Sequence, residues 1–334
     1  MTGQSVLEIR GLEVEFVSEG RAVRAVDGVD LEIRPGEMVG LVGETGCGKS
    51  VTALSVLGLV ASPPGRIVGG QILFEGTDLL RLSQGQLRRI RGAGISMIFQ
   101  EPMTSLDPSF TVGSQMAEVL ATHRGLRGNA ADQESLRWLR HVRMQHPERV
   151  LRQYPFELSG GMRQRVMIAT ALSCGPRLLI ADEPTTALDV TVQAQILTLL
   201  GDLQRETGTA VLLITHDLGL VAEYCDRVYV MYAGRVAEAA LVDDLFEAPL
   251  HPYTQGLLQA IPGVTRRDDA DRRRRLNVIP GDVPAPGAHP PGCLFSTRCP
   301  HVMPVCRDIA PPLVERAPDH AAACYLHDLV SVGP

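Results

Sequence analysis

Residues 38–60 read MVGLVGETGCGKSVTALSVLGLV, and this stretch decides the fold. It runs from a compact apolar strand, Met38–Val42, through a glycine-rich loop into an amphipathic stretch from Ser50 to Val60. The loop matches the phosphate-loop pattern G-x-x-x-x-G-K-S at every position. Because it stands between an apolar strand and an amphipathic stretch, it predicts a strand–loop–helix unit and not a chance glycine-rich turn.

Each type of residue in this loop has a chemical role. Glycines let backbone N–H groups curl around phosphates, and the start of the following helix adds partial positive charge. Lys49 supplies a point charge to the β- and γ-phosphates, and the Ser50 hydroxyl is a predicted Mg²⁺ ligand. The predicted nucleotide site comprises Gly43, Glu44, Thr45, Gly46, Cys47, Gly48, Lys49 and Ser50.

Strands and helices alternate outward from this unit. Arg177–Ala181 is a predicted strand, Val190–Arg205 a predicted helix and Ala210–Ile214 a second strand. This alternation predicts a mostly parallel sheet covered by helices on both faces. Upstream, β-type runs alternate with turn signals; in chain order these are Leu7–Ile9, Gly11, Val14–Val17, Gly20, Val29–Ile33 and Pro35-Gly36.

Two segments depart from this alternation. Residues from about 101 to 158 contain the predicted helices Ser114–Thr122 and Ala131–Val142, and they read as a helical insertion. Thirteen of the 23 prolines lie in residues 251–334, which indicates an irregular, loop-rich segment. We therefore expect one domain over residues 1–250, interrupted by the insertion, and a C-terminal extension over residues 251–334.

The composition limits the possible functions. The 334 residues include 38 Asp and Glu against 32 Lys and Arg, a formal net charge of −6. This balance argues against a protein that binds nucleic-acid phosphates. No stretch approaches the roughly 18 apolar residues that would span a bilayer. Met1–Arg10 also lacks the apolar segment of a signal peptide, so a role at a membrane would depend on partner proteins.

A second apolar strand ends in two acids, in the run Leu178-Leu-Ile-Ala-Asp182-Glu183. A buried strand would deliver Asp182 to the sheet edge beside the phosphate loop, where its carboxylate can hold Mg²⁺. Glu183 would then polarise an attacking water as general base. Acids at a strand end are commonly only solvated, but the presence of a phosphate loop favours the catalytic interpretation.

The run Leu158-Ser159-Gly160-Gly161-Met162-Arg163-Gln164 separates this chain from other phosphate-loop proteins. A serine and glycine amides at a helix start form an anion site. The run resembles the signature of the ATP-binding-cassette family and lies just upstream of the acidic strand, as it does in that family. The resemblance implies that Ser159, Gly160, Gly161 and Gln164 contact an ATP molecule held by a second chain.

Three more motifs resemble elements of the same family. Phe99-Gln100-Glu101-Pro102 resembles the Q-loop, Ala187-Leu188-Asp189 the D-loop, and Ile214-Thr-His216-Asp217 the switch-histidine segment. The implied catalytic residues are Glu183, His216 and Gln100. The implied Mg²⁺ ligands are Ser50, Gln100 and Asp182. Asp189 would lie at the dimer interface, and Phe16 would stack on the adenine, although core packing is a competing interpretation of Phe16.

Longer blocks are similar to the oligopeptide and dipeptide importer branch of this family. They are Gln100–Pro108, Tyr154–Arg165, His251–Thr254 and the run Gly292-Cys293-x-Phe295-x-x-Arg298-Cys299. The resemblance covers nearly the whole chain and implies an α/β nucleotide-binding domain. Its expected parts are a RecA-like parallel core, an N-terminal antiparallel β subdomain, an inserted helical subdomain and a proline- and cysteine-rich C-terminal extension.

Four of the seven cysteines lie in the last 42 residues: Cys293, Cys299, Cys306 and Cys324. Their spacings lack the close C-x₂₋₄-C pairs of structural zinc sites, and disulfides are not expected in a cytosolic domain. Four thiolates can hold a [4Fe–4S] cluster, and the resemblance favours that interpretation. A zinc ion and free thiols are the alternatives.

The resemblance implies an ATPase that acts as a translocase subunit at the cytoplasmic face of the inner membrane and energises an importer of dipeptides or oligopeptides. The implied cofactors are ATP and Mg²⁺. The implied partners are a second, non-identical ATPase, two permease subunits and an extracytoplasmic solute-binding protein, with no nucleic acid. A nickel or other small-solute importer of the same branch is the alternative.

Functions of a different class fit the sequence less well. Family members in DNA repair need a long coiled coil, and the approximately 110 residues between Ser50 and Ser159 leave no room for one. Family members in translation normally carry two cassettes, whereas this chain has one. An intact Glu183 argues against a non-catalytic regulatory binder.

Overall fold

The computed structural model describes residues 4–18, 20–100, 105–186, 188–261, 279–285 and 287–328. The described residues form two compact units. As far as each range is described, unit 1 comprises Met1–Leu7, Glu32–Met38 and Leu73–Ile214, and unit 2 comprises Glu8–Leu31, Val39–Ile72 and Thr215–Pro334.

The strands and helices follow one another along both units. The strands are β1 (Leu7–Ser18), β2 (Arg21–Ile33), β3 (Met38–Val42), β4 (Gly65–Phe74), β5 (Thr77–Asp78), β6 (Ile95–Ile98), β7 (Leu178–Asp182), β8 (Ala210–Thr215), β9 (Arg227–Tyr232), β10 (Arg235–Leu241), β11 (Val314–Ala317) and β12 (His320–Ala322). The helices are α1 (Lys49–Val56), α2 (Gln84–Ile90), α3 (Val112–Arg124), α4 (Asn129–His141), α5 (Pro147–Val150), α6 (Gly160–Leu172), α7 (Val190–Thr207), α8 (Leu218–Tyr224), α9 (Val242–Glu247), α10 (Pro252–Gln259) and α11 (Pro304–Asp308). Within the described ranges, none of these helices has the length and apolar character needed to cross a bilayer.

Three parallel strands form the sheet of unit 1, in the order β6, β7, β8. Every residue of β7 and β8 is buried, as expected for parallel strands covered on both faces. The pairing of β7 with β8 runs from Leu178↔Ala210 to Asp182↔Ile214. The predicted order of strand, helix and strand over residues 177–214 is confirmed, and it places the Asp182 carboxylate at the carboxyl edge of the sheet.

Helices dominate residues 112–172 of unit 1, and three of them fall inside the range predicted as a helical insertion. Helix α3 is capped at its start by Thr111, whose hydroxyl accepts a hydrogen bond from the Ser114 N–H, and is followed by Gly125 with φ 67°. Glu134 on α4 accepts hydrogen bonds from Arg137 (2.8 Å) and from the indole of Trp138 (3.1 Å). Local caps and side-chain pairs therefore stabilise these helices.

Five strands lie side by side in unit 2, in the order β11, β12, β10, β9, β3. Only β3 and β9 pair in parallel; the other neighbours are antiparallel. Strands β11 and β12 come from the C-terminal extension, and β12 pairs with β10 at Glu238↔Ala322 and Ala239↔Ala321. Strands β11 and β12 of the extension therefore continue this sheet, and the domain boundary expected at residue 250 stays a prediction. The edge of β10 offers unpaired backbone groups, and β12 satisfies them.

Glu238 of β10 forms hydrogen bonds with residues of the extension within the core. Its side chain is fully buried and accepts hydrogen bonds from the N–H groups of Leu250 (2.7 Å) and His251 (2.9 Å). The ring nitrogen Nε2 of His320 lies 2.8 Å from the same carboxylate. A buried carboxylate with three polar partners is compatible with the apolar core around it.

The N-terminal strands differ from the prediction at Gly11. The sequence predicts a turn there, but β1 runs unbroken from Leu7 to Ser18. Gly11 adopts φ +54° within the strand, and its N–H donates to Oδ1 of Asp30 (2.8 Å). Glycine accepts this left-handed conformation without strain, so the strand continues through it.

Candidate functional site

The phosphate loop of unit 2 connects β3 to α1 and depends on two of its glycines. Gly43 has φ +152° and Gly48 has φ +104°. A Cβ on Gly43 would lie 2.2 Å from the carbonyl oxygen of Met231, and a Cβ on Gly48 would lie 2.6 Å from that of Ala25. Because backbone atoms cannot move aside as flexible side chains can, only glycine fits at these two positions.

Lys49 is the only lysine of the chain and the first residue of α1. It is 6% exposed, and its Nζ donates to the carbonyl oxygens of Gly43 (2.8 Å) and Glu44 (3.1 Å). The ammonium group therefore lies within the loop, where it can neutralise phosphate charge. Cys47 is fully buried, and burial raises the pKa of its thiol, so this side chain packs as a neutral group.

Glu44 is held by two residues that the motif analysis did not assign to the nucleotide site. Its N–H donates to the hydroxyl of Tyr253 (3.0 Å), and its carboxylate accepts hydrogen bonds from both terminal nitrogens of Arg298 (2.7 and 3.0 Å). Tyr253 and Arg298 stand in sequence blocks that carried only the family resemblance. These partners are 209 and 254 residues from Glu44 along the chain, so no local pattern links them.

The other predicted site residues of unit 2 lie at the ends of elements. Thr45 and Gly46 are exposed in the phosphate loop, and Ser50 is half-buried in the first turn of α1. His216 is exposed directly after β8, and the carboxylate of the next residue, Asp217, caps helix α8. The phosphate contact of His216 and the Mg²⁺ contact of Ser50 stay predictions.

Unit 1 contains the acidic pair at the end of β7. Asp182 is 4% exposed, and Glu183 follows it with φ +46°. The Glu183 N–H donates to the carbonyl oxygen of Ile214 (2.9 Å), which fixes this left-handed backbone. Left-handed conformations are uncommon for residues other than glycine, and they concentrate at functional sites.

The carboxylate of Glu183 is positioned by two donors. Nε2 of Gln100 (3.0 Å) and Oγ1 of Thr186 (2.9 Å) both donate to its Oε2. The structure thus brings together Gln100 and Glu183, which the motifs identified separately, and adds Thr186. A carboxylate held in one orientation by donors suits a general base. The Q-loop positions Glu101 and Pro102 lie outside the described residues.

The signature run forms the N-terminus of α6 in unit 1. The Ser159 hydroxyl accepts a hydrogen bond from the Met162 N–H (3.3 Å), and Ser159 and Gly160 are exposed. A Cβ on Gly161 would lie 2.8 Å from Cγ1 of Val192, so glycine lets α6 pack closely on α7. An exposed, capped helix start suits an anion. Its contact to a nucleotide on a second chain stays a prediction.

Gln164 lies in the interior and not at the exposed start of α6. It is fully buried, and neither Oε1 nor Nε2 has a hydrogen-bond partner among the described residues. Position 164 is one turn into α6, on the face it shares with the fully buried Ile168. This burial does not favour the predicted contact of Gln164 with ATP across an interface, and that contact stays a prediction.

Asp189 and Phe16 have local structural roles. Oδ1 of Asp189 accepts a hydrogen bond from the Val192 N–H (3.0 Å) and caps α7, while the preceding D-loop position Ala187 lies outside the described residues. Phe16 is half-buried in β1, and a Cβ on Gly65 would lie 2.9 Å from its ring. This contact favours packing for Phe16. Adenine stacking and the interface role of Asp189 stay predictions.

Four cysteines of the extension line one small cavity of unit 2, together with His251 and His301; they are Cys293, Cys299, Cys306 and Cys324. Burial raises the pKa of the Cys293, Cys299 and Cys324 thiols, that of Cys324 to about 11. Within the described ranges, however, no three His, Cys, Asp or Glu residues are arranged to hold a metal ion. This arrangement gives no support to the predicted [4Fe–4S] cluster or to zinc.

Family models match two parts of the chain. The model described as ABC transporter matches residues 26–186. The model described as oligopeptide/dipeptide transporter, C-terminal region, matches residues 237–306. The first match contains the phosphate loop and the acidic pair, and the second contains Tyr253 and Arg298.

Curated relatives are similar over nearly their whole length. A probable peptide ABC transporter ATP-binding protein of Sinorhizobium fredii is 53% identical over 320 residues, covering 96% of this chain and 94% of the relative. An oligopeptide transport ATP-binding protein of Bacillus subtilis is 50% identical, covering 97% of both chains. The corresponding oligopeptide transport protein of Salmonella typhimurium is 50% identical, covering 96% of this chain and 93% of the relative.

Solved structures share the fold. A dimeric ATP-binding cassette in a post-hydrolysis state, bound to ADP and phosphate, superposes with a TM-score of 0.63 at 26% identity, covering 71% of this chain and 98% of that one. A component of an ABC transporter complex from Clostridium perfringens gives a TM-score of 0.62 at 27% identity, covering 73% of this chain and 92% of that one. The mixed α/β cassette fold implied by the motifs is thereby confirmed.

Proposed function

The chain belongs to the ATP-binding-cassette transporter family, and on this premise we propose that it is the ATP-binding and ATP-hydrolysing subunit of a bacterial importer of dipeptides or oligopeptides. One observation carries the hydrolytic part of the proposal. Glu183, at the carboxyl end of β7, is oriented by Gln100 and Thr186 in a chain whose phosphate loop is intact. The peptide cargo is supported by the match of residues 237–306 to the oligopeptide/dipeptide transporter model.

Different residues of the chain bind the nucleotide and activate the attacking water. Lys49, held within the phosphate loop, neutralises charge on the β- and γ-phosphates. Glu183 accepts a proton from the attacking water, and Gln100 keeps its carboxylate in one orientation. His216, exposed after β8, is proposed to contact the γ-phosphate.

Mg²⁺ fits the donor types present. Ser50, Asp182 and Gln100 each offer an oxygen, the ligand type that Mg²⁺ prefers. Asp182 is 4% exposed, so solvent would screen little of the attraction between its carboxylate and the ion. The ion would supply neutralisation of the charge that develops on the phosphates.

The proposed partners follow from the family. A second ATPase subunit, similar but not identical, would complete each nucleotide site through its own signature. Two permease subunits would hold the chain at the cytoplasmic face of the inner membrane, and an extracytoplasmic solute-binding protein would deliver the cargo. ATP binding favours the closed pair, and this difference in affinity drives the permease.

Cluster binding by the extension is part of the proposal. Four thiols converge on one cavity, and four thiolates are the donor set of a [4Fe–4S] cluster. The described geometry does not itself hold a metal ion, so loading would need the cysteine side chains to rearrange. Zinc and free thiols are the competing outcomes.

A transport assay tests the proposal. The chain would be expressed with its permease, partner ATPase and binding protein, and peptide uptake would be measured in proteoliposomes. We expect uptake to need ATP and to be lost with Glu183→Gln. Uptake of a nickel chelate in place of peptides would support the small-solute alternative. If neither a solute nor the permease changed the rate of ATP hydrolysis, the importer assignment would be refuted.

A further inference from the structure

We infer that Arg298, in the cysteine-rich turn of the extension, is a positioning residue for the phosphate loop and acts through Glu44. The inference rests on the proposed nucleotide site. It adds a residue about 250 positions away in the chain to the control of ATP affinity. It also gives the extension a part in nucleotide binding.

Arg298 is fully engaged by its surroundings. Its side chain is 5% exposed, and its two terminal nitrogens donate to the two carboxylate oxygens of Glu44 at 2.7 and 3.0 Å. Its Nε donates to the carbonyl oxygen of Pro280 (3.0 Å). The guanidinium carbon lies 5.8 Å from the ring centre of Tyr232 and 5.9 Å from that of Phe295. Because these contacts hold the planar guanidinium in place, it fixes the orientation of the carboxylate that it binds.

Tyr253 fixes the backbone of the same loop residue. Its hydroxyl accepts the hydrogen bond from the Glu44 N–H, and its ring is fully buried against Tyr232 and Phe295. Both the main chain and the side chain of Glu44 are therefore anchored in the segment from 251 to 298. The start of the phosphate loop is therefore held in position by residues of the extension.

The charge of Glu44 is the reason this anchor matters for ATP. A carboxylate in a loop that must bind phosphates repels them, and the repulsion is strong where water is partly excluded. Glu44 is 29% exposed at its side chain, so solvent screens its charge only in part. Arg298 neutralises this carboxylate and fixes its orientation through both of its oxygens.

The cysteine turn holds Arg298 in place. Arg298 directly precedes Cys299, and its N–H donates to the carbonyl oxygen of Phe295 (3.0 Å). Cys293 N–H donates to the carbonyl oxygen of Cys306 (2.8 Å), which closes the base of the turn. The ion pair of Arg298 with Glu44 therefore connects the turn that contains these cysteines to the phosphate loop.

The test measures equilibrium binding of a fluorescent ATP analogue to the purified full chain. Arg298→Met should raise the dissociation constant about tenfold, equivalent to about 1.4 kcal/mol. Adding Glu44→Gln to Arg298→Met should recover most of that loss, because the uncompensated carboxylate is gone. If the role of Arg298 were purely structural, the second substitution would not restore binding of the analogue.

Arg227→Met is the matched control. Arg227 is also a buried arginine of unit 2, its side chain 9% exposed, and it pairs with Asp319 of the extension. Arg227 pairs with Val39 near the start of β3. The phosphate loop follows the other end of that strand. Arg227→Met should lower the melting temperature as much as Arg298→Met does and leave the dissociation constant within about twofold of wild type.

Three results would overturn the inference: an unchanged dissociation constant in Arg298→Met, an equal loss in Arg227→Met, or no recovery in the double variant. If Arg298→Met does not fold, Arg298→Lys replaces it; it keeps the charge, loses the fork and should weaken binding about threefold. An unchanged constant in Arg298→Lys would then overturn the inference. If the wild-type chain itself fails to bind the analogue, the proposed function fails instead.

Discussion

Nε2 of Gln100 lies 3.0 Å from Oε2 of Glu183, so the residue at the end of β6 orients the residue at the end of β7. The two strands are parallel neighbours, which brings their carboxyl ends to one edge of the sheet. The carboxylate of Glu183, the proposed general base, is therefore held by an adjacent strand end, and this arrangement gives the first prediction.

Glu183→Gln should reduce ATP turnover at least about 100-fold while leaving nucleotide affinity near its wild-type value. The substitution removes the proposed proton acceptor and leaves the phosphate loop unchanged. Steady-state ATPase rates of the assembled complex and binding of a fluorescent ATP analogue measure the two effects. Glu206→Gln, at an exposed acid near the end of α7, is the control with normal turnover. Near-normal turnover in Glu183→Gln would show that another group is the base.

Lys49→Ala should weaken ATP binding itself, because a charge that faces the phosphates is lost without replacement. As the only lysine, Lys49 also gives a direct probe. Apart from the N-terminal amine, an amine-acylating reagent can modify only this side chain, and ATP should protect it in a mass-spectrometric time course. Equal labelling with and without saturating ATP, or unchanged affinity in Lys49→Ala, would place the nucleotide elsewhere.

Ser159→Arg should block ATP-driven pairing of two ATPase chains without weakening nucleotide binding by the isolated chain. Gel filtration with ATP measures the association, in the Glu183→Gln background where slow turnover should preserve the bound ATP. Ser83→Arg is the matched control, because Ser83 also caps a helix of unit 1 with its hydroxyl. ATP-dependent pairing of the Ser159→Arg chain would contradict the role of the signature.

His251 should make the chain less stable at acidic pH. Burial lowers the pKa of His251 from 6.5 to about 4, and its Nδ1 accepts the Tyr253 N–H. Between those values the unfolded chain binds a proton that the folded chain does not, so this contribution is complete above pH 6.5 and falls towards pH 4. Urea unfolding at pH 7.5 and 4.5 should show wild type losing about 2 to 3 kcal/mol more than His251→Asn. Equal losses would show that His251 titrates normally in the folded protein.

Anaerobically purified chain should contain about four irons and absorb broadly in the visible range, the behaviour of a [4Fe–4S] cluster. Iron removal should expose the extension to limited proteolysis, since the cross-link is lost. Cys225→Ser, outside the cysteine cavity, is the control that should keep the iron, whereas Cys306→Ser should lose it. One zinc per chain would identify the alternative metal, and metal-free protein with four titratable thiols would refute both.

The short motifs could be predicted because each is determined by neighbouring residues. The glycines at 43 and 48 are required by backbone geometry and close approach. Ser159 and Asp189 cap helices that begin one residue later. Gln164 could not be predicted in the same way, because burial depends on what packs against that face of α6.

The sequence by itself determined the strand–loop–helix unit around Lys49, the acidic end of β7 and the signature at the start of α6. These features depend on φ angles, caps and apolar runs within a few residues. Only the tertiary structure decided that Arg298 and Tyr253 hold Glu44, that Thr186 joins Gln100 on Glu183, and that β12 extends the sheet beside β10. The pairing of Glu44 with Arg298 spans 254 residues. Such a contact forms only when separately folded segments pack together, because its energy depends on burial and distance and not on sequence spacing.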